Sequence, residues 1–481
     1  MKKKTGLFKI IMFILLGMVV LSWLFSASYF YNGSLMDMDM KNIGFFDYFS
    51  LLFGSFEFEY FLQTFILLIC VGAFYGVLNK TGKYRAWIEK IANNCSGREF
   101  TVLIFSAFII AILSAVLEYG FILFIFIPFI ISILLAMGYN KVTTIVAVFG
   151  SMLVGTIGNL MGYNTTGVTA KMLEIGQTEG FYYKLALFIV AFVVEMIYLS
   201  KAKRVKNSEK KALEEDDLFI GEKESNKYST TPIIIMFIVI AVLVVLACTN
   251  WVDTFKVDMF SKLHTKIMEW GPKLPYIHFT MDGVKTGTDN IKIFSKLFGN
   301  ISEFGQWYHA EMSVVLILAS LVLGKIYKLE STLSAMAEGV KKIFKPALMV
   351  MLCFTVVYFA GKNMFFPTIA KIILGISSKF SVLLGVIVTA IGSVLHVDIL
   401  YVANYITPQI AAVDGANKMV VALLTQSIYG CTMFIAPTSM FIAFALTYLN
   451  VPYKEWVKKT WKLTVALTVV SVVVLLLAKF L

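Results

Sequence analysis

Residues 101–151 read TVLIFSAFIIAILSAVLEYGFILFIFIPFIISILLAMGYNKVTTIVAVFGS: two apolar arms that meet at Glu118-Tyr119-Gly120 and, after Pro128, end in a Gly-Tyr-Asn-Lys turn. A carboxylate at the centre of a membrane helix costs roughly 2.5–3.5 kcal/mol on insertion scales. The glycine beside it lets the helix stop and turn back. Broken backbone within a bilayer is tolerated only where it is buried in protein or lines a wet cavity. In secondary transporters such cavities hold the substrate and the coupling ion. The stretch therefore predicts a re-entrant hairpin over about 100–137 with a functional tip.

Working outward, a second copy lies over about 380–413. Glu118 precedes Pro128 by ten residues, and Asp398 precedes Pro408 by ten. Each proline leads to a glycine turn, Gly138 to Lys141 or Gly415 to Lys418, and each turn opens a span interrupted by small and polar residues. A shorter repeat, Phe49-Ser-Leu-Leu-Phe-Gly54 and Phe294-Ser-Lys-Leu-Phe-Gly299, precedes the spans that begin at Tyr60 and Tyr308. Loop charge places the two hairpins on opposite faces, as an inverted repeat requires.

Composition excludes a soluble globular chain: of 481 residues 59% are hydrophobic and 15% charged, with a mean hydropathy of +0.80. Several stretches reach the ~20 apolar residues that span a bilayer. The first, Leu7 to about Phe30, is longer than the 7–15 residues of a signal-peptide core; a cleaved signal is its alternative. The net charge of +12 gathers mainly in loops, around Lys2 to Lys4, Lys80 to Arg98, Lys201 to Lys206 and Lys325 to Lys345. Those loops all fall on one side, the cytoplasmic one by the positive-inside rule, so the charge does not point to nucleic acid. Five scattered cysteines show neither zinc spacing nor a disulfide framework.

The expected architecture is an all-α polytopic membrane protein with about nine transmembrane helices plus two opposed re-entrant hairpins. Residues 1–200 form the first half, 201–231 a cytoplasmic linker with little packing, and 232–481 the second half, with an extracellular loop over about 251–306. One span of the second half begins at Pro346, after a basic loop. The location is the cell membrane, with the N-terminus in the cytoplasm.

The residues that carry chemistry sit where the apolar pattern breaks. Glu118 and Asp398 are the acidic tips; an ionised tip holds a cation or a cationic substrate, and a protonated one exchanges a proton. The simpler role for Glu118 is a cap on the adjoining arm. The first interrupted span, Gly155-Thr-Ile-Gly-Asn-Leu-Met-Gly-Tyr-Asn-Thr-Thr-Gly167, offers Thr156, Asn159, Asn164 and Thr165 and, where unwound, its backbone. A small-residue packing face is the alternative. The second, Gln426 to Ser439, offers Thr432, Pro437, Thr438 and Ser439; a plain proline kink is its alternative. Asn159 and Thr438 are expected to line one central cavity. His396, two residues from Asp398, is either a proton relay or a tip residue satisfying backbone. Glu195, near the basic boundary at Lys201, is expected to snorkel or pair there.

Taken together, Gly72-Ala-Phe-Tyr-Gly-Val-Leu-Asn-Lys-Thr-Gly82, Glu118, Gly138-Tyr-Asn140, Ala436-Pro-Thr-Ser439 and Val451-Pro-Tyr-Lys-Glu-Trp456 resemble the YfcC/DcuC family of bacterial carriers. That family is similar to the wider ion-transporter superfamily, which includes the p-aminobenzoyl-glutamate transporters. The resemblance implies nine spans, two opposed hairpins and a cation-coupled or exchange mechanism. Its substrates range over four-carbon dicarboxylates, arginine with ornithine, and peptides. The chain departs from the family pattern at the second tip, Ser393-Val-Leu-His-Val-Asp398, and at Phe434, where an asparagine is usual.

These readings converge on a secondary transporter, not an enzyme. Two acidic tips favour amino acids over a bare dicarboxylate, with basic amino acids such as arginine and ornithine the sharpest case; a four-carbon dicarboxylate or peptide carrier is the alternative. A polytopic enzyme or scaffold is the distant one. No cofactor and no metal cluster is expected. The coupling ion is Na+ or H+, and a sodium site would fall at the hairpin tips and broken helices. The partners are a small-molecule substrate and the lipid bilayer, with a homodimer left open and nucleic acid excluded.

Overall fold

Two glycine–asparagine turns start the interrupted spans. Gly138 and Gly415 take φ of 87° and 73°, conformations that side chains rarely adopt. Two residues on, Asn140 accepts a hydrogen bond from Thr143 N at 3.0 Å. Asn417 does the same for Met419 N and Val420 N, at 2.9 and 3.3 Å. Each cap satisfies orphan donors of the helix that follows and contributes about 1 kcal/mol.

The computed structural model describes residues 6–31, 34–40, 42–205, 217–221, 228–279 and 286–480. In the first half, α1 (Leu7–Leu24), α2 (Glu59–Lys80) and the short α3 (Lys83–Asn94) precede hairpin arms α4 (Glu99–Val116) and α5 (Ile127–Ala136). The first interrupted span is α6 (Lys141–Ile157) with α7 (Val168–Leu173), and α8 (Phe181–Ser200) ends the half. The second half holds α9 (Thr231–Cys248), α10 (His309–Ile326), α11 (Thr332–Lys362) and the short α12 (Phe366–Leu374). Its hairpin is α13 (Val382–His396) against α14 (Ile399–Tyr405) and α15 (Thr407–Ala411). The second interrupted span, α16 (Lys418–Met433) with α17 (Met440–Tyr448), leads to α18 (Tyr453–Phe480).

Eight described helices are long and apolar enough to cross a membrane. Setting aside α4, a hairpin arm, and adding the two interrupted spans gives nine crossings among the described residues. The chain is a mostly helical, multi-pass membrane protein. It is not wholly α: antiparallel ribbons form at β1 (Ser28–Tyr31) with β2 (Ser34–Asp37), and at β3 (Lys273–Phe279) with β4 (Thr286–Lys292) in the long loop. The span expected from Pro346 starts earlier. Lys341, Lys342 and Lys345 lie on α11, which continues through Pro346 because one missing N–H does not end a helix packed along α2.

That packing depends on close approach. A Cβ on Gly339 would lie 2.0 Å from Gly72 O and 2.7 Å from Gly76 Cα, so α2 and α11 cross nearly backbone to backbone.

The hairpins enter from opposite ends. At the feet of the first, Arg204 pairs with Glu99 and Val205 N donates to Gly138 O at 2.9 Å. This end is level with the start of α18, because Tyr198 donates to Lys459 O at 3.4 Å. At the feet of the second, Phe380 N donates to Asp414 O at 2.8 Å, and Lys479 donates to Phe380 O at 3.1 Å. Lys459 and Lys479 are separated by about 30 Å of α18 at 1.5 Å per residue.

The linker is packed where it is described, contrary to the expectation for 201–231; residues 206–216 and 222–227 lie outside the described residues. Ser132 donates to Asp217 Oδ2 at 2.6 Å, and Arg85 donates to Gly221 O at 2.8 Å. Phe219 is fully buried, its ring 5.3 Å from Tyr75 and 6.1 Å from Tyr448. Phe219, the partly buried Leu218 and Ile220 beside it, and one hydrogen-bonded carboxyl group dock five residues of an otherwise polar segment.

Gly339→Val should prevent the α2–α11 crossing, seen as loss of monodisperse protein after membrane extraction; normal yield would show the crossing to be dispensable. Burial pushes the Asp217 carboxyl up to about 6 from 3.8, against the Ser132 hydroxyl and backbone donors. Its contribution to docking is therefore full below about pH 4 and is lost as pH rises through about 6. A spin label at Leu218→Cys should become more mobile over that window, and Asp217→Ala should flatten the response.

Candidate functional site

Both hairpin tips carry left-handed backbone at residues other than glycine, Glu118 with φ 51° and Val397 with φ 54°. For a β-branched residue such as Val397 this is an outlier. Strain of this kind persists only where surrounding contacts over-determine it, and it gathers at ligand sites.

At the first tip those contacts are visible. Between α6 and a π-turn at Tyr163–Gly167 the chain is unwound, leaving backbone donors without helical partners. The Glu118 carboxylate accepts from Asn164 N at 2.7 Å, from Thr165 N at 3.1 Å and from the Thr165 hydroxyl. Hydrogen bonds to a charged group contribute about 1.5–3 kcal/mol each. The carboxylate thus ties the hairpin to the broken span. Gly162 leaves room for it: a Cβ there would lie 2.7 Å from Glu118 Oε2 and 2.5 Å from Asn159 Nδ2.

At the second tip Asp398 caps its own arm, accepting from Leu400 N at 2.8 Å. Tyr429 donates to Val397 O at 2.8 Å and supports the strained residue. The Tyr60 hydroxyl faces Asp398, and its ring stacks on Tyr308 with centroids 6.2 Å apart.

The two tips share one cavity of about 500 Å³. Glu118, Thr156, Asn164 and Asp398 line it; Thr165 reaches it only through its bond to Glu118. No Lys, Arg or His is among its described lining residues, while aromatic rings are frequent, among them Tyr60, Tyr163, Trp307, Tyr308 and Tyr429.

The other sequence candidates lie outside the cavity lining. Asn159 is fully buried, its Oδ1 accepting from Gly162 N at 2.9 Å and from the Thr166 hydroxyl at 2.8 Å. Thr438 is equally buried and donates to Val394 O at 2.8 Å. The expectation that these two line the cavity is corrected: each uses its side chain to hold broken backbone in place. Thr432 lends its carbonyl to Ala436 N, Pro437 sits in the gap before α17, and the buried Ser439 hydroxyl has no hydrogen-bond partner among the described residues. His396 stacks on Tyr405, with centroids 5.6 Å apart.

Three features went unread in the sequence. Tyr60 and Tyr308 follow the two copies of the hexapeptide repeat, and that repeat was the available signal. Gln426 spans the two halves, donating to Asn159 O at 3.2 Å and Ile157 O at 3.3 Å. Gly305 to Trp307, from the long loop, complete the cavity wall.

The sequence profile of the DcuC family, described as C4-dicarboxylate anaerobic carrier, matches residues 60–480. No curated protein matches. Among solved structures the chain is similar to MtrF of Neisseria gonorrhoeae, described as illuminating a class of antimetabolite efflux pumps. That match has 12% identity over 98% of this chain and 95% of that one, with a TM-score of 0.42. The chain is also similar to the YdaH transporter of Alcanivorax borkumensis, described as having an unusual topology, at 13% identity over 98% of each chain with a TM-score of 0.40.

Gly162→Ala should lower thermal stability by about 1–3 kcal/mol through overpacking, because neither the Glu118 carboxylate nor the Asn159 amide can move without losing bonds. Gly176, whose Cβ would meet nothing within 4 Å, is the control. Equal unfolding temperatures for Gly162→Ala and Gly176→Ala in detergent would refute the clamp.

Proposed function

The chain belongs to the DcuC family and is a membrane transporter, and from that premise we propose that it carries amino acids, basic ones such as arginine or ornithine above all, by ion coupling or exchange. The observation that carries this reading is the pair of carboxylates, Glu118 and Asp398, in a cavity with no Lys, Arg or His among its described lining residues. A guanidinium or ammonium group is attracted to the carboxylates and to aromatic faces, the latter contributing about 0.5–2 kcal/mol. The α-carboxylate of the same substrate would take donors from Asn164, Asn250 and Gln306 in the same lining. Alternating exposure of a site built from broken helices and hairpins is the transport mechanism this architecture supports. The basic loops then face the cytoplasm of a cell-membrane protein.

The family description favours a second reading, a C4-dicarboxylate carrier. Its substrate would have to enter this cavity with sodium ions or protons that offset the two carboxylates.

Uptake of labelled arginine, succinate and a dipeptide into proteoliposomes, with and without sodium, separates these readings. Arginine should accumulate. Glu118→Gln should cut that uptake by at least about tenfold, as expected from losing one charge-assisted bond, while the protein stays folded. Uptake of succinate alone, unchanged in Glu118→Gln, would overturn the amino-acid reading.

A further inference from the structure

A third intramembrane carboxyl lies outside the cavity. Glu195 on α8 neither snorkels nor pairs at the basic boundary, as the sequence suggested; the residue is fully buried. Its helical phase turns it toward α6, where Ser151 is its hydrogen-bond partner at 3.0 Å, and its Oε2 has no partner among the described residues.

Several titratable groups of the neighbouring elements are engaged elsewhere: on α16 Lys418 pairs with Glu174 at 3.7 Å and Tyr429 donates to Val397 O at 2.8 Å. Glu99 at the start of α4 pairs with Arg204. Tyr198, on Glu195's own helix, donates to Lys459 O, and the Lys459 ammonium pairs with Glu455 at 2.8 Å on α18. Lys462 lies over the Trp461 ring, and Cys431 on α16 lies 3.4 Å from Ser471. Among the described residues no cation reaches Glu195. An unpaired ionised carboxylate in such a place is costly, and a proton on it removes that cost.

The hydroxyl of Ser151 gives a second, independent indication. It has one proton and two oxygens within reach, Ala147 O at 2.9 Å and Glu195 Oε1 at 3.0 Å. When its proton goes to the carbonyl, the bond to Glu195 requires a proton from the carboxyl.

The place matters as much as the charge. Ser151 follows a π-turn at Val146–Gly150, a distortion that recurs at functional sites. A Cβ on Gly150 would lie 3.0 Å from Glu195 Oε1 and 3.2 Å from the ring of Phe434. Gly150, in the distorted part of the first interrupted span, is therefore packed against both Glu195 and Phe434, the C-cap residue of α16 in the second. A change of charge here acts on both broken spans at once.

We infer that Glu195 is a proton-binding site of the transport cycle, separate from the substrate cavity, which takes one proton from water and releases it as the interrupted spans change arrangement. The transport arm of its test rests on the arginine reading above; the spectroscopic arm does not.

Infrared spectra of the protein in lipid at neutral pH should contain the carbonyl stretch of a protonated carboxylic acid that disappears in Glu195→Gln. Ser151→Ala should move that band without removing it. In proteoliposomes Glu195→Gln should lose about tenfold or more of the arginine uptake driven by a pH gradient, within the usual range of coupling energies, and still exchange arginine at equal pH. An unchanged band in Glu195→Gln, or undiminished gradient-driven uptake, would overturn the inference. If the unmodified protein moves no arginine, the substrate reading fails and the band alone decides Glu195.

Discussion

The bond between the Glu118 carboxylate and the start of the π-turn at Tyr163 underlies the rest of the site. Unwound backbone inside a bilayer finds no partner in lipid, so a freed donor that does not face a wet cavity needs a protein partner. A carboxylate at a hairpin tip needs donors for the same reason. Each defect resolves the other. The pairing also explains why Glu118 can take a left-handed conformation and why Gly162 carries no side chain.

The two halves share their devices but use them differently. A glycine turn followed by an asparagine cap opens both interrupted spans, and a strained residue marks both tips. Yet Glu118 reaches across to another span, whereas Asp398 bonds within its own arm and faces the phenol of Tyr60. The first carboxylate is thereby more fully occupied by protein donors than the second. Within one cavity, Asp398 is the acid with more capacity left for a ligand.

Much of this was legible because it is local. An acid amid apolar residues, a proline ten positions on and a Gly-x-Asn-Lys turn each announce a break, and two copies announce a repeat. What the sequence did not tell apart is a polar residue that faces the cavity from one that braces the break. Asn159 and Thr438 look like ligands in a row of small polar residues, but freed backbone claims their side chains first. The burial of Glu195 depends on helical phase against neighbours, which the sequence of α8 alone does not specify. The docking of Phe219 was hidden by the charged residues around it, since one aromatic side chain is a faint signal in a polar segment.

Electrostatic magnitude bears on the choice of cargo alongside family membership. At an effective dielectric constant of about 20, two unit charges about 5 Å apart interact by roughly 3 kcal/mol. A dicarboxylate brought near Glu118 and Asp398 would meet that repulsion more than once. No Lys, Arg or His among the described lining residues offsets it. Bound protons or sodium ions would remove the penalty, so a dicarboxylate carrier with this cavity would be tightly dependent on them. A guanidinium substrate needs no such escort: the same two acids that repel the dicarboxylate attract it.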